Sequence, residues 1–174
     1  MLKKDGLCKN ECGYYSICAV VLCLILSGCA KGGYRGERKL PERVAILSEA
    51  EAARAVSPCS REAAKGVSGN WKPATTDILL AESELANYVN ARLSKSFDDY
   101  YRQYSGILIN GKRVLLIHAV YGPKFMSSFR AFEQEIPDWR TTYIWVCDGH
   151  DNSWGVEFYL DEKRFANFET NQGL

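Results

Sequence analysis

Residues 100–121 read YYRQYSGILI, then Asn110-Gly111, then KRVLLIHAVY. Two runs rich in β-branched and aromatic residues flank a dipeptide whose members both tolerate positive φ, as a two-residue type I′ turn demands. The chain must fold back on itself here as an antiparallel hairpin. Pairing across the turn puts Leu108, Leu115, Ile117, Ala119 and Tyr121 on one face. Ile107, Ile109, Val114, Leu116, His118 and Val120 share the other. Both faces are largely apolar, so the hairpin belongs in the middle of a sheet rather than at its margin.

Before the hairpin the hydrophobic period is 3.6. Ile78, Ala81, Leu85, Tyr88, Val89 and Leu93 form one stripe and predict a helix over 77–97. Thr76 or Asp77 can cap it, and its acidic start and basic end match the helix dipole. A shorter helix opens on Ser48-Glu49-Ala50-Glu51, a capping-box pattern, and stops before Ser57-Pro58. Residues 65–73 carry Gly66, Gly69 and Pro73 and read as a loop anchored by Trp71. After the hairpin, TTYIWVCDG and WGVEFYLD predict a second hairpin joined through HDNS, and FANFET a last strand. The expected fold is α+β: a meander of four or five antiparallel strands packed on one main helix, similar in layout to the cystatins. That likeness concerns shape alone.

The N-terminus has a different character. Five of the seven cysteines lie in the first 29 residues, around an uncharged run from Ile17 to Ala30 that follows Lys3, Lys4 and Lys9. About 14 residues is too short for a helix crossing the hydrocarbon core, which needs roughly 20. The pattern is that of a secretory signal peptide. At its end, Leu26-Ser27-Gly28-Cys29 resembles the lipobox of bacterial prolipoproteins. The resemblance implies removal of residues 1–28, a diacylglyceryl group on the Cys29 sulfur and acylation of the new amine. It implies a membrane partner through that lipid. With Ala30 in place of an aspartate after the cysteine, enterobacterial sorting would send such a protein to the outer membrane, facing the periplasm. Residues 29–40 read as a flexible tether and 41–174 as one domain.

Removing residues 1–28 takes away three lysines and two acidic residues, which leaves 19 charges of each sign. A neutral domain gives no electrostatic case for nucleic acid. Cys8, Cys12, Cys18 and Cys23 leave with the signal, and a zinc site built from them would place thiolates in an apolar run. Besides Cys29, only Cys59 and Cys147 remain. Outside the cytoplasm the simplest arrangement pairs them in a disulfide. The alternatives are two free buried thiols or a redox thiol, which no Cys-x-x-Cys supports.

His118 falls mid-strand and reads as a core or sheet-face residue. His150 stands beside Asp148 and Asp151, in a sequence that suits either a polar hairpin tip or a cation or acid–base site. The stretch 122–140 is long for a loop and carries Phe125, Met126, Phe129, Phe132 and Trp139. It reads either as a binding loop with Phe125, Met126, Phe129 and Trp139 as contact residues, or as an edge helix over 124–135 that packs them inward. The usual nucleophile, zinc and phosphate-loop motifs are absent from the sequence. No catalytic residue, metal ligand or cofactor is assigned.

The resulting expectation is a lipid-anchored envelope protein whose domain is a non-enzymatic binding or accessory module for an envelope protein or cell-wall component. One alternative is an inhibitor of a periplasmic lysozyme or protease, with the HDNS tip inserted in a cleft. The other is a small hydrolase or metal-dependent enzyme using His150, Asp148 and Asp151.

Overall fold

The computed structural model describes residues 39–131 and 135–172. Its core is the hairpin read from the sequence, made by β3 (Tyr100–Ile109) and β4 (Lys112–Tyr121). Their ten-residue ladder runs from Tyr100 opposite Tyr121 to Ile109 opposite Lys112. At the turn Asn110 and Gly111 both take positive φ, 50° and 76°. The ladder continues antiparallel through β5 (His150–Tyr159) to β6 (Arg164–Asn171). On the other side of β3, β1 (Val44–Ile46) pairs in parallel with its first half, and β2 (Val67–Asn70) pairs antiparallel with its second. The result is a six-stranded mixed sheet in which β3 to β6 form a four-stranded meander. The fold class is α+β, as expected.

Two helices precede the meander, α1 (Glu49–Ala55) and α2 (Thr75–Asn90), and a third, α3 (Gly122–Ala131), follows β4. The Ser48 hydroxyl caps α1 by accepting from Glu51 N. Asp77 reaches back to accept from Ala74 N at 2.8 Å, so it serves α2 from inside the first turn. Ile78, Ala81, Leu85 and Val89 of α2 are fully buried against Tyr104, Leu115, Ile117, Trp154, Val156 and Phe158 on one face of the sheet. Within this apolar layer lies one ion pair. Arg102 Nε and Nη2 donate to the two Glu82 oxygens at 2.8 and 2.9 Å, and the Tyr104 hydroxyl donates to the same carboxylate. Arg102 Nη1 also donates to the carbonyls of Phe97 and Tyr100. Each partner is fully engaged, which is the condition under which a buried pair is tolerated.

Four expectations are corrected. The main helix ends at Asn90, not at 97; Phe97–Asp99 is a separate 3-10 turn, whose Phe97 joins the core. Residues 67–70, read as loop, form β2, because Gly106 on β3 lets the chain pass close by. A Cβ there would lie 2.2 Å from Trp71 O. Trp71 anchors that crossing, as expected, by donating from Nε1 to Ile107 O at 3.1 Å. Residues 141–149 form no strand. HDNS joins no pair of strands: His150 opens β5, paired with Asn171, and a local turn in which Asn152 N donates to Gly149 O at 2.8 Å lies at the start of that strand.

Candidate functional site

The second face of the sheet is also covered, and this cover carries the features relevant to function. It is built from α1, the 56–65 strap, α3 and the 135–149 connection. The connection has no strand of its own because sheet side chains take its backbone groups. Gln103 Nε2 donates to the carbonyls of Trp139 and Thr142 at 2.6 and 2.7 Å, and Gln103 Oε1 accepts from Ile144 N at 3.0 Å. His118 Nε2 donates to Ile144 O at 2.9 Å, and Glu51 of α1 accepts from Tyr143 N. Gln103 and His118 face each other across β3 and β4, so one row of the sheet pins the whole segment.

Arg61 reaches this row from the strap. Its Nη2 donates to His118 Nδ1 at 2.9 Å, which fixes the imidazole as the neutral Nε2–H tautomer. Burial, with the Arg61 cation beside it, holds the His118 pKa well below the usual histidine value. Burial likewise lowers that of Arg61, and Tyr143 and Glu169 partly offset the effect. The guanidinium fills the space at Gly155, where a Cβ would stand 1.3 Å from Arg61 Nη1. Under the strap is a cavity of about 330 Å3 lined by Arg61, Glu157, Tyr159, Asn167 and Glu169 among others. Its polar groups are largely engaged with one another. Glu157 accepts from the Tyr159 hydroxyl and from Asn167 Nδ2, and Glu169 accepts from Glu62 N. Three carboxylates line it with two cations, Arg61 and Lys65, of which Lys65 pairs with Glu62 and Arg61 keeps a buried Nε without a partner among the described residues.

A second concavity, about 360 Å3, runs between α3 and residues 144–149. Its walls include Val120, Lys124, Ser128, Trp145, Val146 and Asn152. Trp145 is 58% exposed, in contrast to Trp139 and Trp154, which are buried. Its ring meets the edge of Tyr143 at 6.3 Å, and Tyr143 in turn lies against His118. The floor is braced by the disulfide between Cys59 and Cys147, whose Cα atoms are 5.0 Å apart. Next to it, Ser60 Oγ donates to Asp148 Oδ1 at 2.8 Å and accepts from Asp148 N at 3.1 Å. Asp148 and His150 both adopt positive φ on either side of Gly149. Rare backbone states of this kind collect where a structure fixes a binding surface.

The residues singled out from sequence separate into different roles. Phe125 and Trp139 are buried, and Met126 is half-buried beside them in a cluster with Val120 and Ile144. Of the two readings of this stretch, the inward-packing helix is the one seen, over Gly122–Ala131 rather than 124–135, and the contact role of Phe125, Met126 and Trp139 is corrected. The side chain of Phe129 and residue Phe132 lie outside the described residues, as does Cys29. His150 is exposed, whereas His118 is buried and bonded elsewhere. Asp148 turns to Ser60, while Asp151 is held by Ser94 and Lys95, which keep its pKa below the ordinary carboxylate value. The two carboxylates proposed for a metal or acid–base site are thus drawn to separate elements, while His150 faces solvent. Among the described residues, no group of three His, Cys, Asp or Glu is placed to hold a metal ion. The inhibitor reading loses its projecting tip, since HDNS lies within β5. Arg61, Gln103, Lys124 and Trp145 went unselected in the sequence. Trp145 gave the one available signal: a large aromatic two residues from a cysteine expected to be cross-linked.

Comparisons with protein-family models, curated proteins and solved structures give no match. The functional reading therefore rests on this chain's own residues.

Proposed function

We propose that this chain is a lipid-anchored cell-envelope protein whose domain acts as a binding module, with the groove beside Trp145 as its contact site. The observation that carries the reading is the exposed indole at a braced, concave surface, where among the described residues Ile136 is the other exposed large apolar side chain. Ligand sites typically combine such a concavity with a few convergent polar groups. The anchor follows from the Leu26-Ser27-Gly28-Cys29 resemblance, and the disulfide is of the kind that persists outside the cytoplasm. Among the described residues no helix is long and apolar enough to cross a membrane, and an acylated Cys29 would supply attachment without one.

The test is affinity capture of the full-length chain from cells after in-cell crosslinking, with metabolic labelling by a palmitate analogue. The wild type is expected to take up label and to retain an envelope component. Cys29→Ala should lose the label, and Trp145→Ala should lose the component. An unlabelled wild type, or capture indifferent to Trp145, contradicts the proposal.

A further inference from the structure

The groove between α3 and residues 144–149 has the chemistry of a saccharide site. A sugar ring offers an apolar C–H face and a rim of hydroxyls; an indole suits the first, and fixed polar groups suit the second. Trp145 presents its ring at the groove while Tyr143 fixes it from the edge. Several polar atoms beside it keep hydrogen-bonding capacity. Ser128 Oγ donates to Lys124 O and so retains its acceptor lone pairs. Asn152 Nδ2 donates to Gly149 O, leaving Oδ1 to accept. Asp148 engages Ser60 through Oδ1 and keeps Oδ2. Lys124 forms no ion pair among the described residues.

A protein partner fits this surface less well. Protein interfaces centre on several clustered apolar or aromatic anchors. Here the exposed large apolar side chains among the described residues are Trp145 and Ile136. One indole, one uncommitted cation on α3 and acceptors on the facing wall, Asp148 among them, match a small hydroxyl-rich ligand whose acidic group lies on the α3 side better than a broad apolar partner.

We infer that the groove binds an N-acetylated, carboxylate-bearing glycan, the chemistry of the bacterial cell-wall polymer. The sugar ring stacks on Trp145, the acetyl methyl rests on the half-buried Val146, and the carboxylate pairs with Lys124. Because the disulfide and the Ser60–Asp148 bonds already fix one wall, little ordering is needed on binding. The inference rests on the envelope-anchored reading, since only a domain outside the cytoplasm meets that polymer.

The test uses the full-length chain in detergent, with its disulfide intact. It is titrated with a soluble disaccharide–peptide of N-acetylglucosamine and N-acetylmuramic acid, and in parallel with neutral chitotriose, by tryptophan fluorescence and calorimetry. The wild type should bind the charged fragment saturably and more tightly than chitotriose. Trp145→Ala should weaken both by about tenfold, equivalent to about 1.4 kcal/mol. Lys124→Gln should narrow the difference between the two ligands. Ser128→Trp, which fills the groove from α3, should block both and gives a second readout if Trp145→Ala misfolds. Absence of saturable binding by the wild type, or wild-type affinity in both Trp145→Ala and Ser128→Trp, overturns the inference. A chain that binds neither sugar yet still captures an envelope component through Trp145 removes the glycan and leaves the binding module. Failure of both removes both.

Discussion

At Gly155 a single missing Cβ decides how the second face of the sheet is closed. Arg61 lies in the space a side chain would fill, and from there it holds His118. Gly155→Ala should expel the guanidinium and destabilise the fold by about 1–3 kcal/mol, measured by urea unfolding. Adding Arg61→Ala to that variant should cost little more, because both changes remove the same contact. His118 gives this row a pH dependence with a definite sign. Its native pKa lies well below the unfolded value of 6.5, so the unfolded chain binds the proton first. Its contribution is complete above pH 6.5 and is lost as the pH falls towards the native pKa, at up to about 1.4 kcal/mol per unit. Unfolding free energy measured between pH 7 and 5 should show this slope in the wild type and lose it in His118→Gln. On the opposite face Arg102→Ala leaves Glu82 buried without its partner and should cost about 3–5 kcal/mol.

At the scale of elements, what could be read from sequence was what local chemistry decides. The Asn110-Gly111 turn, the face partition of β3 and β4, the Ser48 cap and the α2 stripe all follow from neighbours within a few residues. The 135–149 connection does not. Its aromatic and β-branched residues 143–146 have strand composition, but their backbone partners are distant side chains: Glu51 for Tyr143 N, Gln103 and His118 for Ile144 N and O, and Asn171 for Val146 O, between 25 and 92 residues away. No pattern within the segment announces that. The same distance hid the site: Trp145 is exposed and Phe125 and Trp139 are buried because Gln103 and His118 set where the segment lies. Gln103→Ala should therefore strand three backbone groups and destabilise by roughly 2–4 kcal/mol. Amide hydrogen exchange should quicken first at Ile144. Reduction of Cys59–Cys147, which closes a loop of 88 residues, should cost roughly 4–5 kcal/mol in the chain-entropy model. The strap and the 144–149 wall should loosen before the meander does.

In the whole molecule, the proposed lipid anchor at Cys29 and the proposed contact site at Trp145 stand more than a hundred residues apart in sequence. Cys29→Ala should move the chain from the membrane to the soluble fraction, measured by fractionation of cells. The measurement that bears most directly on the account is photo-crosslinking in living cells from a reactive amino acid placed at position 145. The comparison is the same group at Asn87, exposed on α2 at the far face of the sheet. The proposed contact site should give a discrete adduct from position 145, lost in the Cys29→Ala background, and none from position 87. Equal labelling from both positions, or none from either, would contradict it.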